Sequence, residues 1–194
     1  EQIGSQNVLT TLFSTDDTKK NEDFSEKTIA ELVRACFEMG KVKTGALIVI
    51  ERGTPLGEIE RTGIEVDGIV TSQLLINIFE HNTPLHDGAV VIRGNRVTAA
   101  TCYLPLSDNM DISKALGTRH RAAVGVSEAT DSVTLVVSEE TGRVSVAVSG
   151  RLKSVKDGDE LRDILSVLVK RETENTGRFR IWKGRRRNER KADE

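Results

Sequence analysis

The sequence predicts a single α/β domain, a mixed central β-sheet flanked by helices. Three stretches carry that expectation. Gly45–Ile50 (GALIVI) is apolar without alternation, as in a strand buried on both faces. Ile29, Leu32, Val33, Cys36 and Phe37 recur at i, i+3, i+4, i+7 and i+8, one continuous helical stripe. Ala89–Arg93 and Val97–Tyr103 are β-rich runs that meet across Gly94-Asn95, a dipeptide suited to a tight hairpin.

In chain order, residues 1–24 hold a short apolar patch, Val8–Phe13, and a polar run from Ser14 to Asp23 that reads as a loop or linker. The striped helix follows, with Ser25 or Asp23 as its cap and Gly40 after its end. The buried strand comes next, and Glu51–Gly68, rich in glycine and charge, reads as a loop over the sheet. Leu74, Leu75, Ile78 and Phe79 place a second helix over Thr71–Glu80, which Pro84 separates from His86-Asp87 and the hairpin. Leu104–Ser107 ends the hairpin, and a polar loop runs to Leu116. Thr118–Val124 predicts the start of a short helix behind Gly117. Ser132–Ser138 and Arg143–Ser149 form a second hairpin across Glu139–Gly142. The last helix is expected over about Asp159–Lys170, with Leu161, Ile164, Leu165 and Leu168 inward. The expected organisation is a segment 1–24, the domain proper over 25–156, a C-terminal helix within 157–177 and a flexible basic tail over 178–194.

At 194 residues, 37% hydrophobic and 30% charged, the composition is that of an ordinary soluble domain. Aromatic residues make up 4%, so the core must come from Val, Ile, Leu and Ala. Cys36 and Cys102 lie in apolar runs and read as small buried side chains, which suits a reducing compartment. No run approaches the length of a membrane span, and no signal-peptide pattern appears. The start at Glu1 instead of methionine is read as that of a fragment. From Arg178 to Glu194 eight Lys/Arg face three acids, so a net −2 overall leaves about −7 on the rest. Such a tail is usually a solvated end, with a membrane-surface or nucleic-acid contact as the sharper alternative. Nucleic-acid binding is disfavoured, since only Phe179 and Trp182 lie among those charges and the body is acidic.

The common nucleotide motifs are absent: there is neither a G-x-G-x-x-G nor a P-loop. The histidines and cysteines show no zinc spacing. Asp87, Ser107 and His120 lack the nucleophile elbow of a hydrolase triad. What remains is phosphoryl chemistry, which needs a cation, a group that activates the attacking oxygen, and cationic donors for developing charge. Asp87 can ligate a metal or accept a proton, and His86 can bind the same ion if Gly88 turns the backbone. Gly117-Thr118-Arg119-His120-Arg121 supplies guanidinium forks beside a helix start, although two arginines in three residues are also common on a solvated face. Tyr103 could stack on a base or serve as a half-buried structural ring. Ser138-Glu139-Glu140 could touch a metal or stay solvated.

LHDGAVVI, CYLPLS, GTRHRAAVG and VSEETGRVSVA, in that order, resemble the diadenylate cyclase domain of bacterial proteins, over about Ser25 to Gly150. GALIVIER and SQLLINIFEHNTPLHDGA look like the membrane-anchored A-type enzyme. The resemblance implies condensation of two ATP into cyclic di-AMP with release of two pyrophosphates. By analogy, catalysis falls on Asp87, Gly88, Ala89, Arg119, His120 and Arg121. Asp87 would deprotonate the ribose 3′-hydroxyl and, with His86, bind Mn²⁺ or Mg²⁺, manganese often being the better activator. Tyr103 and Leu104 would border adenine, while Gly117, Thr118, Arg119, Ser138 and Glu139 would contact the nucleotide. One ATP per protomer implies a face-to-face homodimer, since each ATP must attack the other. A membrane anchor ahead of Glu1, a catalytic domain facing the cytoplasm and soluble by itself, a YbbR-domain regulator and a phosphoglucosamine mutase partner are implied in the same way. A module that binds ATP or cyclic di-AMP without making it is the competing expectation.

Overall fold

The structure is a computed structural model that describes residues 24–109 and 116–168. The expectations for the patch Val8–Phe13, the run Ser14–Asp23, most of the loop before Leu116 and the basic tail lie outside those residues. Helix α1 (Glu26–Lys41) begins where the sequence places it. Ser25 is its N-cap, accepting from Thr28 N at 3.1 Å, and the predicted stripe Ile29, Leu32, Val33 and Cys36 is buried. Strand β1 (Ala46–Ile50) is buried at every position.

Its neighbours explain why. The described sheet has seven strands in the order β2-β4-β3-β1-β5-β6-β7, with β1 at its centre. These are β2 (Ile64–Ile69), β3 (Ala89–Arg93), β4 (Arg96–Cys102), β5 (Val133–Val137), β6 (Val144–Val148) and β7 (Arg151–Ser154). Only the β1–β3 pairing is parallel; the other five are antiparallel. Side chains of β1 alternate between two cores. Ala46, Ile48 and Ile50 pack with α1 and α3 (Ser72–Phe79) on one face, together with Leu161 and Leu165 of the last helix, α5 (158–168). Leu47 and Val49 pack on the other face with Ala122, Ala123 and Val126 of α4 (Thr118–Ala129). The result is a helix–sheet–helix sandwich, the predicted class.

Side chains fasten the layers together. Asn95, in the β3–β4 turn, accepts from Ser25 N at 2.9 Å and Thr28 Oγ1 at 2.6 Å, tying the hairpin to the start of α1. Glu31 of α1 accepts from Ser72 N at 2.6 Å and so caps α3, a bond that holds its carboxyl below the usual range.

Two edge strands and one short helix depart from the sequence expectations. Glu51–Gly68 is not a loop throughout: it contains α2 (Gly57–Glu60) and the edge strand β2. Exposed Glu65 and Asp67, with Asp67 at φ +45° in a register shift, disguise β2 as a loop; such charges and bulges are how edge strands avoid pairing with other chains. Strand β7 is polar, and its half-exposed RLKS gives no alternation to read. Helix α4 runs to Ala129, well beyond the expected first turn; small residues, Ala122, Ala123, Gly125 and Ser127, form much of its buried side and leave no stripe of large apolar side chains to read. Cys36 and Cys102 are buried free thiols, pushed by burial to about 12 and about 11 respectively.

Candidate active site

Strand register assembles the site. Ala89 lies opposite Cys102, Ile48 opposite Val90, Ala46 opposite Val137, and Val137 opposite Val144. Tyr103, Gly88, Gly45, Ser138 and Arg143 therefore fall at one end of five adjacent strands. At strand spacing, the mouth of β3 and the end of β5 are about 10 Å apart.

The first half of the site is the mouth of β3. Helix α3 reaches it through a turn in which Thr83 Oγ1 donates to Glu80 O at 2.9 Å. His86 Nδ1 lies 2.6 Å from Thr83 O. A carbonyl can only accept, so Nδ1 is the donor and, in the neutral ring, Nε2 keeps its lone pair for an electrophile. Asp87 is exposed, and its carboxylate has no hydrogen-bond or ion-pair partner among the described residues. Gly88 takes φ +113°, and a Cβ there would meet the Thr101 backbone at 2.7 Å, so this position is closed to other residues. Ala89 is fully buried. Tyr103 is 77% exposed while its backbone N donates to Thr62 Oγ1 at 2.9 Å, which leaves the ring available for stacking. Leu104 packs against the α4-side core.

The second half is a cleft of about 420 Å³ between the start of α4 and the β5–β6 turn. Gly117, Thr118, Arg119 and His120 line one wall, Ser138 and Glu139 the other. Gly117 caps α4 without a side chain, so first-turn N–H groups stay available beside the cleft. Arg119 Nη1 donates to Glu139 Oε2 at 2.5 Å. His120 is 8% exposed, and burial pushes its imidazole below the ordinary histidine value, with Glu140 opposing. Arg121 points elsewhere. It donates to Ser107 O at 2.6 Å and its own carbonyl accepts from Ser107 N at 3.0 Å, pinning the strap after β4 to α4. Two residues apart on a helix means opposite sides, so one arginine faces the cleft and the other the strap.

The structure thus brings the sequence-predicted site residues to one end of the sheet, in an acidic half and a basic half, except that the Arg121 side chain turns away to Ser107. Gly117, Thr118, Arg119, His120, Ser138 and Glu139 share the cleft; His86, Asp87, Gly88, Ala89, Tyr103 and Leu104 do not line it. Sequence reasoning missed Arg143, Ser145, Leu152 and Ser154, which also line the cleft. The alternation of β6 could have pointed to Arg143 and Ser145, but nothing in β7 announced Leu152 and Ser154. No group of three His, Cys, Asp or Glu poised to hold a metal occurs among the described residues.

Residues 33–152 match the family described as DisA bacterial checkpoint controller nucleotide-binding. The chain is 50% identical over 166 residues to cyclic di-AMP synthase CdaA of Bacillus subtilis (strain 168), covering 85% of this chain and 61% of that protein. It is 44% identical over 185 residues to a diadenylate cyclase of Listeria monocytogenes serotype 1/2a (strain 10403S), covering 95% and 66%. The chain thus spans less than two thirds of the length of these two relatives. A crystal structure of DacA from Staphylococcus aureus superposes with a TM-score of 0.72 at 46% identity, covering 74% of this chain and 96% of that one. The matched span runs from α1 into β7 and contains both halves of the site, and the chain accordingly belongs to the DAC family, the DisA-type nucleotide-binding domain.

Proposed function

We propose that this chain is a diadenylate cyclase domain that joins two ATP molecules into cyclic di-AMP and two pyrophosphates. The observation that carries it is that an exposed acid, Asp87, and a phosphate-matching base, Arg119, stand at one end of the same sheet. In each half-reaction a ribose 3′-oxygen attacks the α-phosphorus of the other ATP. The O3′–Pα bond forms, the bond from Pα to the bridging oxygen breaks, and pyrophosphate leaves with the electron pair. Asp87 takes the hydroxyl proton, and a second such step closes the ring. Arg119 and the first-turn N–H groups of α4 bind phosphate oxygens, while Tyr103 offers its exposed face to adenine.

His86 Nε2 and the Asp87 carboxylate would hold a divalent cation, Mn²⁺ or Mg²⁺. Two protein ligands are too few to enclose an ion, which suits one completed by water and substrate phosphates. When bound, the cation would offset charge on the phosphate oxygens. Because each site accommodates one ATP, the two reacting nucleotides require two protomers face to face about a two-fold axis. In the full-length protein the domain would be membrane-anchored and face the cytoplasm, with a YbbR-domain regulator and phosphoglucosamine mutase as partners, a reading that rests on the motif resemblance alone. Among the described residues no helix is long and apolar enough to cross a membrane.

The test is incubation with ATP and Mn²⁺, or Mg²⁺, with chromatography of the products. Cyclic di-AMP that vanishes on chelation and falls more than linearly on dilution is the expected result. ATP binding without product at any protein concentration would replace the enzyme with a binding module.

A further inference from the structure

Arg119 must cross the mouth of β1 to reach Glu139, and what occupies that mouth is Gly45. A Cβ at Gly45 would lie 2.7 Å from Arg119 Nη1, 3.1 Å from Arg119 Cζ and 3.0 Å from Glu139 Oε2. All three atoms belong to the Arg119–Glu139 ion pair, which spans the cleft. The backbone at Gly45 is not in the left-handed region, so alanine is compatible with its conformation. The nearest obstruction is therefore two side-chain ends. At Gly88, by contrast, the atoms in the way are backbone.

We propose that Gly45 is a positioning residue: the missing side chain at the start of β1 lets the Arg119 guanidinium lie across that strand, paired with Glu139 and facing the nucleotide phosphates. The proposal rests on the reading of Arg119 as a phosphate ligand. Alanine at this position moves the guanidinium away from the cleft and leaves the sandwich intact, because a long side chain yields more easily than a sheet. Gly45 touches no substrate; it acts through Arg119.

A double-mutant cycle on the purified chain tests this, with ATP affinity by calorimetry and melting temperature read for the parent, Gly45→Ala, Arg119→Ala and the double variant. Gly45→Ala is expected to weaken ATP by about tenfold, the scale of one charge-assisted hydrogen bond, at a near-parental melting temperature. Adding it to Arg119→Ala should change nothing further. Arg119→Lys, which lacks the guanidinium atoms that a Cβ would meet, should also lose less than the parent when Gly45→Ala is added. Equal losses in the parent and Arg119→Ala backgrounds, or unchanged affinity in Gly45→Ala, overturn the proposal. If Gly45→Ala unfolds the parent but not the Arg119→Ala chain, the clash is still with the arginine and the proposal stands. Unfolding of both makes Gly45 a requirement of the sheet and overturns it. A parent that binds ATP without making cyclic di-AMP sinks the cyclase reading while the cycle still decides this one; a parent that binds no ATP sinks both.

Discussion

The two halves of the site are built on different principles. At the mouth of β3 the chemistry-bearing carboxylate is bare: Asp87 is exposed and has no partner among the described residues, and the scaffold beneath it is backbone, Gly88 against Thr101. At the start of α4 the scaffold leaves room, and the functional group is held by another side chain, Arg119 by Glu139. A bare acid is free to take a cation or a proton when substrate arrives. A prepaired arginine is already oriented, and a phosphate entering the cleft meets a guanidinium with N–H donors to spare instead of ordering a loose side chain. Fixed geometry thus comes from backbone in one half and from an ion pair in the other.

Substitutions can break that contrast. The largest effect is expected for Asp87→Asn, which should lower cyclic di-AMP formation by about a thousandfold, within the range for a lost general base. Its melting temperature should stay parental because no partner is lost; a drop of many degrees would make Asp87 a structural residue. Gly88→Ala should destabilise the fold by about 3 kcal/mol through strain at a positive φ and collision with backbone. Chemical denaturation showing a loss under about 1 kcal/mol would mean that this half is less rigid than its geometry.

Next comes the basic half. Arg119→Ala should weaken ATP by about thirtyfold, and Glu139→Gln by about threefold, in calorimetric titrations. If Glu139→Gln cost more than Arg119→Ala, Glu139 would be touching the ligand or its cation directly rather than orienting the arginine. The smallest effect concerns acid. Burial lowers the folded-state value of His120 from its ordinary 6.5, so below that pH the unfolded chain takes up a proton that the folded chain refuses. Stability from this group is complete above about pH 6.5 and declines as pH falls toward the folded value. Urea denaturation at about pH 7 and about pH 5.5 should show that decline, and His120→Gln should flatten it. An unchanged slope in the variant would assign the decline to other groups.

Legibility in the sequence followed the strength of local pattern. The α1 stripe, the unbroken apolar run of β1 and the Gly94-Asn95 turn were readable because burial on one helix face, on both faces of a strand, or at a left-handed turn each imposes its own periodicity. Where burial is partial the signal faded. Strand β2 carries Glu65 and Asp67 to solvent at an edge, and Leu152 is the single apolar residue of β7. The site residues announced themselves as unusual polar clusters beside glycines, which is a local property too. Their division of labour did not: Arg119 and Arg121 look alike in sequence, and only helix geometry sends one to Glu139 and the other to Ser107.

What the sequence determined by itself was the main building blocks: where the longer helices lie, which strand is central, and which residues have no reason to be polar except chemistry. Only the tertiary structure decided that β1 inserts between β3 and β5, which brings segments about fifty residues apart to a common edge. The same placement put Gly45 beneath the arginine it accommodates. Periodicity is written residue by residue, because each side chain meets its own environment. Strand order is settled by which long-range pairing buries both faces of the sheet at once, a comparison of whole arrangements that no short segment carries.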